Sequence, residues 1–86
     1  KRTAPEGMFT LQIGSFPSLE EANELVQTLE SHGLLPFLRA ADLKRKGRWY
    51  RVFMGGYDNK DIAQQAGQRL VAERKIQSFM AAKLEH

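Results

Sequence analysis

The 86-residue sequence contains no cysteine. That excludes a disulfide framework, a thiol nucleophile and any cysteine-ligated metal. It has two histidines, one of them the final residue, too few for an ordinary zinc site, so neither metal nor other cofactor is expected. No apolar run approaches the ~18 residues a membrane span needs, and no stretch has the build of a secretory signal. This domain is therefore expected to make no membrane contact of its own. No serine, histidine and carboxylate set suggests a nucleophile or a general acid/base pair, and the acidic residues fall mostly at helix-exterior positions, so the chain does not read as an enzyme. Excess charge is also modest. Thirteen Lys and Arg against ten Asp and Glu leave +3, a mild attraction for acidic polymers and weaker than dedicated nucleic-acid binders show.

What is present is a globular balance, 42% apolar and 27% charged, enough for one small core. Lys1 to Gly7 reads as a linker, residues 8–83 as one domain, and Leu84-Glu85-His86 as the remnant of an appended tag. On that reading the domain comes from a longer parent protein, whose anchor, if it has one in a membrane, lies outside the sequence.

The strongest pattern is an internal repeat. Phe9-Thr10-Leu11-Gln12-Ile13-Gly14-Ser15-Phe16 returns 41 residues later as Tyr50-Arg51-Val52-Phe53-Met54-Gly55-Gly56-Tyr57. The offset carries on to pair Ala22 with Ala63 and Leu29 with Leu70. It predicts two β-α-β halves. Met8 to Gly14 alternates as a half-buried strand that exits at a glycine turn. Ser18-Leu19-Glu20-Glu21 is a capping box opening a helix to about Ser31, with Ala22, Leu25, Val26 and Leu29 inward and Gly33 as its stop. His32, at that helix's end, serves its dipole. Leu34 to Ala41 is a strand, and Pro36 suits it to a sheet edge. Lys44 to Arg48 is a basic hairpin loop, and Trp49 to Gly55 a third strand. Asp58 or Asn59 caps a helix from Lys60 to about Glu73, and Ile76 to Ala82 closes the chain as a fourth strand. The order βαββαβ predicts an α+β, ferredoxin-like two-layer sandwich: an antiparallel four-stranded sheet with both helices on one face.

The other sheet face then has no helix to cover it. A charge belongs outside, so Arg39 and Arg51 fix the parity of their strands. The open face gathers Phe37, Arg39, Trp49, Arg51, Phe53, Thr10 and Gln12. With Gln77 outward, Phe79 joins them and Ile76, Ser78 and Met80 turn inward. Aromatics interleaved with arginines are not the threonine, lysine and glutamate of a solvated face. Gln12 and Ser15 add a polar corner at the first strand's exit.

Gln12-Ile13-Gly14-Ser15-Phe16 followed by Ala22, and Tyr50-Arg51-Val52 followed by Gly55-Gly56-Tyr57 and Ala63, resemble the SPOR domain, the sporulation-related repeat of bacterial cell-wall and division proteins. The resemblance runs from about Met8 to Ala82, with Gly56 standing where the family commonly has proline. It implies a non-catalytic module in the cell envelope that binds peptidoglycan glycan strands, favouring strands stripped of stem peptides, as at division septa. It carries Gln12, Ser15 and Arg51 over as binding residues. Trp49, Phe53, Phe37, Arg39 and Phe79 join them from the face assignment alone. The chemistry agrees: an aromatic ring suits the C–H face of a sugar, and arginine can pair the lactyl carboxylate that a stripped strand exposes. The alternative is an RNA-recognition-type domain with the same element order. Lys46-Gly47-Arg48-Trp49-Tyr50-Arg51-Val52-Phe53 begins and ends like that family's octamer. But Arg48 stands where an aromatic is required and Trp49 where a small residue is, so no nucleic-acid partner is expected. The domain is read as a monomer.

Overall fold

The computed structural model describes residues 6–84. The linker reading for residues 1–5 and the tag reading for Glu85 and His86 lie outside them. The element order is β1 (Phe9–Phe16), α1 (Leu19–Ser31), β2 (Pro36–Leu43), β3 (Gly47–Tyr57), α2 (Lys60–Ala72) and β4 (Met80–Lys83). The four strands form one antiparallel sheet in the order β2-β3-β1-β4. This is the expected ferredoxin-like α+β sandwich, with both helices packed against the same side of the sheet. Pro36 is the first residue of β2, an edge strand, where a missing N–H is tolerated.

The repeat is expressed in three dimensions down to single hydrogen bonds. Ser18 and Asn59 are the two N-caps, 41 residues apart, and their side chains accept from the N–H groups of Glu21 and Ile62, again 41 apart. Each cap satisfies a donor that the first helical turn leaves orphaned. The helices also end alike. Gly33 N–H donates to Glu30 and Leu34 N–H to Leu29, while Arg74 N–H donates to Val71 and Lys75 N–H to Leu70. These are two copies of one Schellman motif, with a left-handed residue at the turn: Gly33 at φ 80° and Arg74 at φ 61°.

The core lies between sheet and helices. Leu11, Val52, Ala22 and Ala63 are completely buried and Leu29 almost so, the repeat partners Leu11 with Val52 and Ala22 with Ala63 among them. Small alanines at these two helix positions let each helix backbone approach the sheet closely. Gly67 does the same for Phe79, whose ring would stand 2.5 Å from any Cβ added there.

The sequence expectation is corrected at three places. Gly14 is not the exit turn of β1. The strand continues through it to Phe16, and the register slips between Gln12↔Phe53 and Gly14↔Val52, so Ile13 is the extra residue of a β-bulge. A second bulge sits on β3. Two residues, Gly55 and Gly56, oppose Thr10 there, and Gly55 takes φ 82°, which a side chain resists. Finally, β4 is short. Residues 76–79 are not strand, so the alternation through Gln77 does not apply. Ile76 is buried, Phe79 turns to the helices, and Met80 is exposed rather than inward.

Candidate functional site

The open face can be read across the strands row by row. Register places Phe37 on β2 opposite Phe53 on β3, Phe53 opposite Gln12 on β1, and Gln12 opposite Met80 on β4. At about 4.8 Å between strands this row spans about 14 Å. The next row is Arg39, Arg51 and Ser15, and the one after it Ala41 and Trp49. Helix-side residues alternate with these: Leu38, Tyr50 and Val52 all pack into the core. Seven of the eight candidate residues, Gln12, Ser15, Phe37, Arg39, Trp49, Arg51 and Phe53, therefore share one face.

Phe79 does not. Its ring packs beneath α2 against Gly67 and belongs to both core clusters. The reason is the late start of β4: with 76–79 free of the ladder, the aromatic goes where it can be dehydrated. Met80 takes the place on the platform that the sequence reading gave to Phe79. The signal that could have found it is the pairing of Gln12 with the β4 position opposite, which no single-strand alternation supplies.

The bulge at Ile13 decides where Ser15 points. Strict alternation from Gln12 would turn Ser15 toward the helices. One inserted residue resets the phase, so Gly14 opposes core Val52 while Ser15 opposes Arg51 on the open face. A Cβ on Gly14 would sit 2.8 Å from the Phe16 ring and 2.9 Å from Leu25. Glycine is therefore the residue that lets the bulge close against α1. The second bulge uses up the other polar candidate. Thr10 is buried, and its hydroxyl donates to the carbonyl oxygens of Met54 at 3.0 Å and Gly55 at 2.6 Å. It braces the sheet and is not available to a ligand.

Within the platform, Phe37 and Phe53 stack at 5.5 Å between centroids with 25° between planes. The Arg39 guanidinium lies 5.1 Å above the Phe37 ring, a cation–π contact that holds the arginine over the aromatic row. Phe37 is only 4% exposed, so it supports the platform while Phe53, half-buried, presents it. A cavity of about 210 Å³ opens here, bordered by Phe37, Arg39, Arg51, Phe53 and Leu84. Leu84 is held there by its N–H donating to the Met8 carbonyl at 2.9 Å.

Arg39 and Arg51 are direct cross-strand neighbours. Like charges at such positions repel, and among the described residues neither has an acidic partner. Their juxtaposition makes this row a receptor for an anionic or multiply accepting group. The basic loop behaves differently. Arg48 is spoken for: its Nε and Nη2 donate to the two Asp42 carboxylate oxygens at 2.8 and 3.2 Å, and that fork holds the Asp42 carboxyl below its usual range. Lys44, Arg45 and Lys46 remain exposed at the tip. Trp49 leans toward this loop, its indole N–H donating to the Lys46 carbonyl at 3.3 Å, so its ring is fixed at the end of the platform.

The octamer of an RNA-recognition domain needs its fifth residue on the open face as a base-stacking aromatic. Here that residue is Tyr50, and it packs into the helix-side core. Among the described residues no group of three or more His, Cys, Asp or Glu could hold a metal ion.

The chain matches the family model described as SPOR domain over residues 5–82. Comparison with curated protein sequences yields no match. Among solved structures, it is similar to the solution structure of the peptidoglycan binding domain of the B. subtilis cell wall lytic enzyme CwlC. The identity is 26%, the match covers 98% of this chain and 95% of that one, and the TM-score is 0.58. It is also similar to the crystal structure of the RlpA SPOR domain from Pseudomonas aeruginosa, at 16% identity over 91% of this chain and 99% of that one, with a TM-score of 0.61. The Spor protein DedD matches at 18% identity and a TM-score of 0.64, over 88% of this chain and 38% of its own. The last two likenesses speak to the fold.

Proposed function

The chain belongs to the SPOR domain family, and on that premise we propose that it is a non-catalytic module that binds peptidoglycan glycan strands on the open sheet face. The observation that carries this reading is the pair of adjacent rows, Phe37-Phe53-Gln12-Met80 and Arg39-Arg51-Ser15. One row offers apolar contact area interrupted by a single amide. The other offers two guanidinium groups and a hydroxyl. A glycan strand has the matching order, with C–H faces flanked by acetamido, hydroxyl and lactyl groups. Phe53 and Trp49 supply rigid apolar surface at small entropic cost. Gln12 and Ser15 meet an acetamido group and a ring hydroxyl. Arg39 and Arg51 pair the lactyl carboxylate, which is free only where stem peptides have been removed. The preference for stripped strands follows from that charge, and with it recruitment of a parent protein to the cell envelope, at the wall or the septum. The family membership and the peptidoglycan-binding neighbour from B. subtilis support the ligand class.

The test is co-sedimentation with purified sacculi, with and without amidase treatment, beside a gel-shift assay with single-stranded RNA. The expected outcome is sedimentation that rises after amidase treatment, and no RNA shift. Equal sedimentation on both sacculi would remove the stripped-strand preference. None on either, or an RNA shift that perturbs Arg51 and Phe53, would remove the glycan reading.

A further inference from the structure

On the opposite side from the platform, a cavity of about 710 Å³ opens between the C-terminal ends of the two helices. Its floor is apolar, built from Ile13, Phe16, Leu25 and Leu29, and Ile76 forms part of the far wall. Thr28, Gln77 and Ser78 add hydroxyl and amide groups, and Arg74 and Lys75 stand at its border.

The two cations break the internal repeat. Arg74 occupies the position of Gly33, and Lys75 that of Leu34, 41 residues on. The helix-ending hydrogen bonds are the same in both copies, so the backbone demands are the same. The first copy meets them with glycine in the left-handed turn and an apolar residue packed against the core. The second holds an arginine at φ 61°, a conformation that costs a non-glycine residue free energy, and puts a lysine where the motif favours an apolar contact. Helix-dipole compensation does not require Arg74, because Arg69 already sits in the last turn of α2. Lys75 reaches Glu73 at 3.4 Å, whereas Arg74 is exposed and has no acidic partner among the described residues.

A third observation concerns the sheet. β1 is paired with β3 along its whole length, but with β4 only from Phe9 to Gln12. Beyond Gln12, no strand lies against β1 on the β4 side among the described residues, and Ile13 and Phe16 of that stretch line the cavity. A half-open strand edge above an apolar floor is the geometry in which an extended peptide adds to a sheet.

We propose that this cavity docks an extended peptide segment of a protein partner whose floor-facing side chains are apolar and which ends in acidic residues. The segment lies along residues 13–16, its apolar side chains on the floor and a carboxylate at Arg74 and Lys75. A peptide fits better than an acyl chain, which would leave the strand edge and the Gln77 and Ser78 side chains without partners. The cavity floor is on the far side of the sheet from the glycan platform; of the platform residues only Ser15 lies in the bordering stretch, with its side chain on the other face, and the proposal does not depend on the glycan reading.

The test titrates the isotope-labelled domain with a capped heptapeptide in which valine alternates with threonine over five residues and two glutamates follow, with its counterpart ending in two lysines, and with decanoate. The glutamate peptide is expected to shift the amide signals of residues 13–16, Thr28 and 74–78, to leave Arg51 and Phe53 in place, and to bind about tenfold more tightly than the lysine peptide. Arg74→Gly should weaken that binding while leaving the melting temperature equal or higher, and Arg74→Glu should favour the lysine peptide. The proposal is overturned if both peptides bind alike or neither binds, or if decanoate alone produces the shifts. It is equally overturned if Arg74→Gly keeps the affinity, or loses it only together with melting temperature.

Discussion

Gly14 and Gly55 are repeat partners that solve different problems. In both, the aromatic two residues on, Phe16 or Tyr57, folds its ring back over the glycine, within 2.8 Å and 2.5 Å of an added Cβ. Only Gly55 also has positive φ. Gly55→Ala should therefore cost about 1–2 kcal/mol for the left-handed conformation alone, before the Tyr57 ring is displaced. Gly14→Ala should cost less, on the order of 1 kcal/mol, since Phe16 and Leu25 can shift by side-chain rotation. Thermal melts of the two variants check the ranking, and equal stabilities would remove the distinction. On the platform, Arg51→Ala and Trp49→Ala should each weaken glycan capture by about 1–3 kcal/mol. Their far-ultraviolet spectra should stay unchanged and their melting temperatures close to the parent's, because neither side chain contributes to the core clusters. Sacculus binding at parental levels in both would place the site elsewhere.

Pairing of elements sets the platform's shape. The β2–β3 ladder runs without slippage from Pro36↔Met54 to Leu43↔Gly47, so its face alternates strictly and carries the aromatic and arginine rows. The β1–β3 ladder slips twice, and each slip serves the face: one braces Thr10, the other turns Ser15 outward. The same ladders force Arg39 against Arg51. Replacing Arg39 by threonine should relieve that repulsion and raise stability by about 0.2–1 kcal/mol, while weakening glycan capture. Denaturant unfolding and sacculus co-sedimentation on one preparation read both effects. A variant that loses both stability and binding would mean that the Arg39–Phe37 contact is structural rather than a ligand site. Because the two arginines are solvent-accessible, capture should also fall as salt is raised toward 1 M.

For the whole molecule, burial of the repeat's aromatics has a pH consequence. Desolvation pushes the Tyr57 phenol above its usual range. The folded state thus prefers the neutral phenol more strongly than the unfolded chain does. That contribution is complete below about pH 10, where the unfolded phenol titrates, and is lost as pH rises through the folded value. Tyr57→Phe should therefore unfold less steeply with pH above about 10 than the parent, as measured by melting temperature across that range. Identical alkaline profiles would show that the ring is solvated.

Alternation, caps and the 41-residue offset are local or translational patterns, and they were enough to settle the element order, both helices to within a residue, the shared helix face and the open-face positions of Gln12, Phe37, Arg39, Trp49, Arg51 and Phe53. Leu11 and Val52 repel water wherever they stand, Ser18 and Asn59 cap whatever helix follows, and Gly33 stops it; such preferences are written residue by residue. What only tertiary structure decided lies in the registers between strands. That Ser15 faces outward depends on one residue inserted opposite β3. That Phe79 lies under α2 and Met80 on the platform depends on where β4 begins to pair with β1. That Thr10 is consumed by two carbonyls depends on a bulge in another strand. A strand's period of two is legible in its own sequence, but its phase relative to a neighbour is a property of the pair. For the same reason, the cations at Arg74 and Lys75 read in the sequence as an ordinary helix end, and become a cavity border only once the two helices are packed side by side.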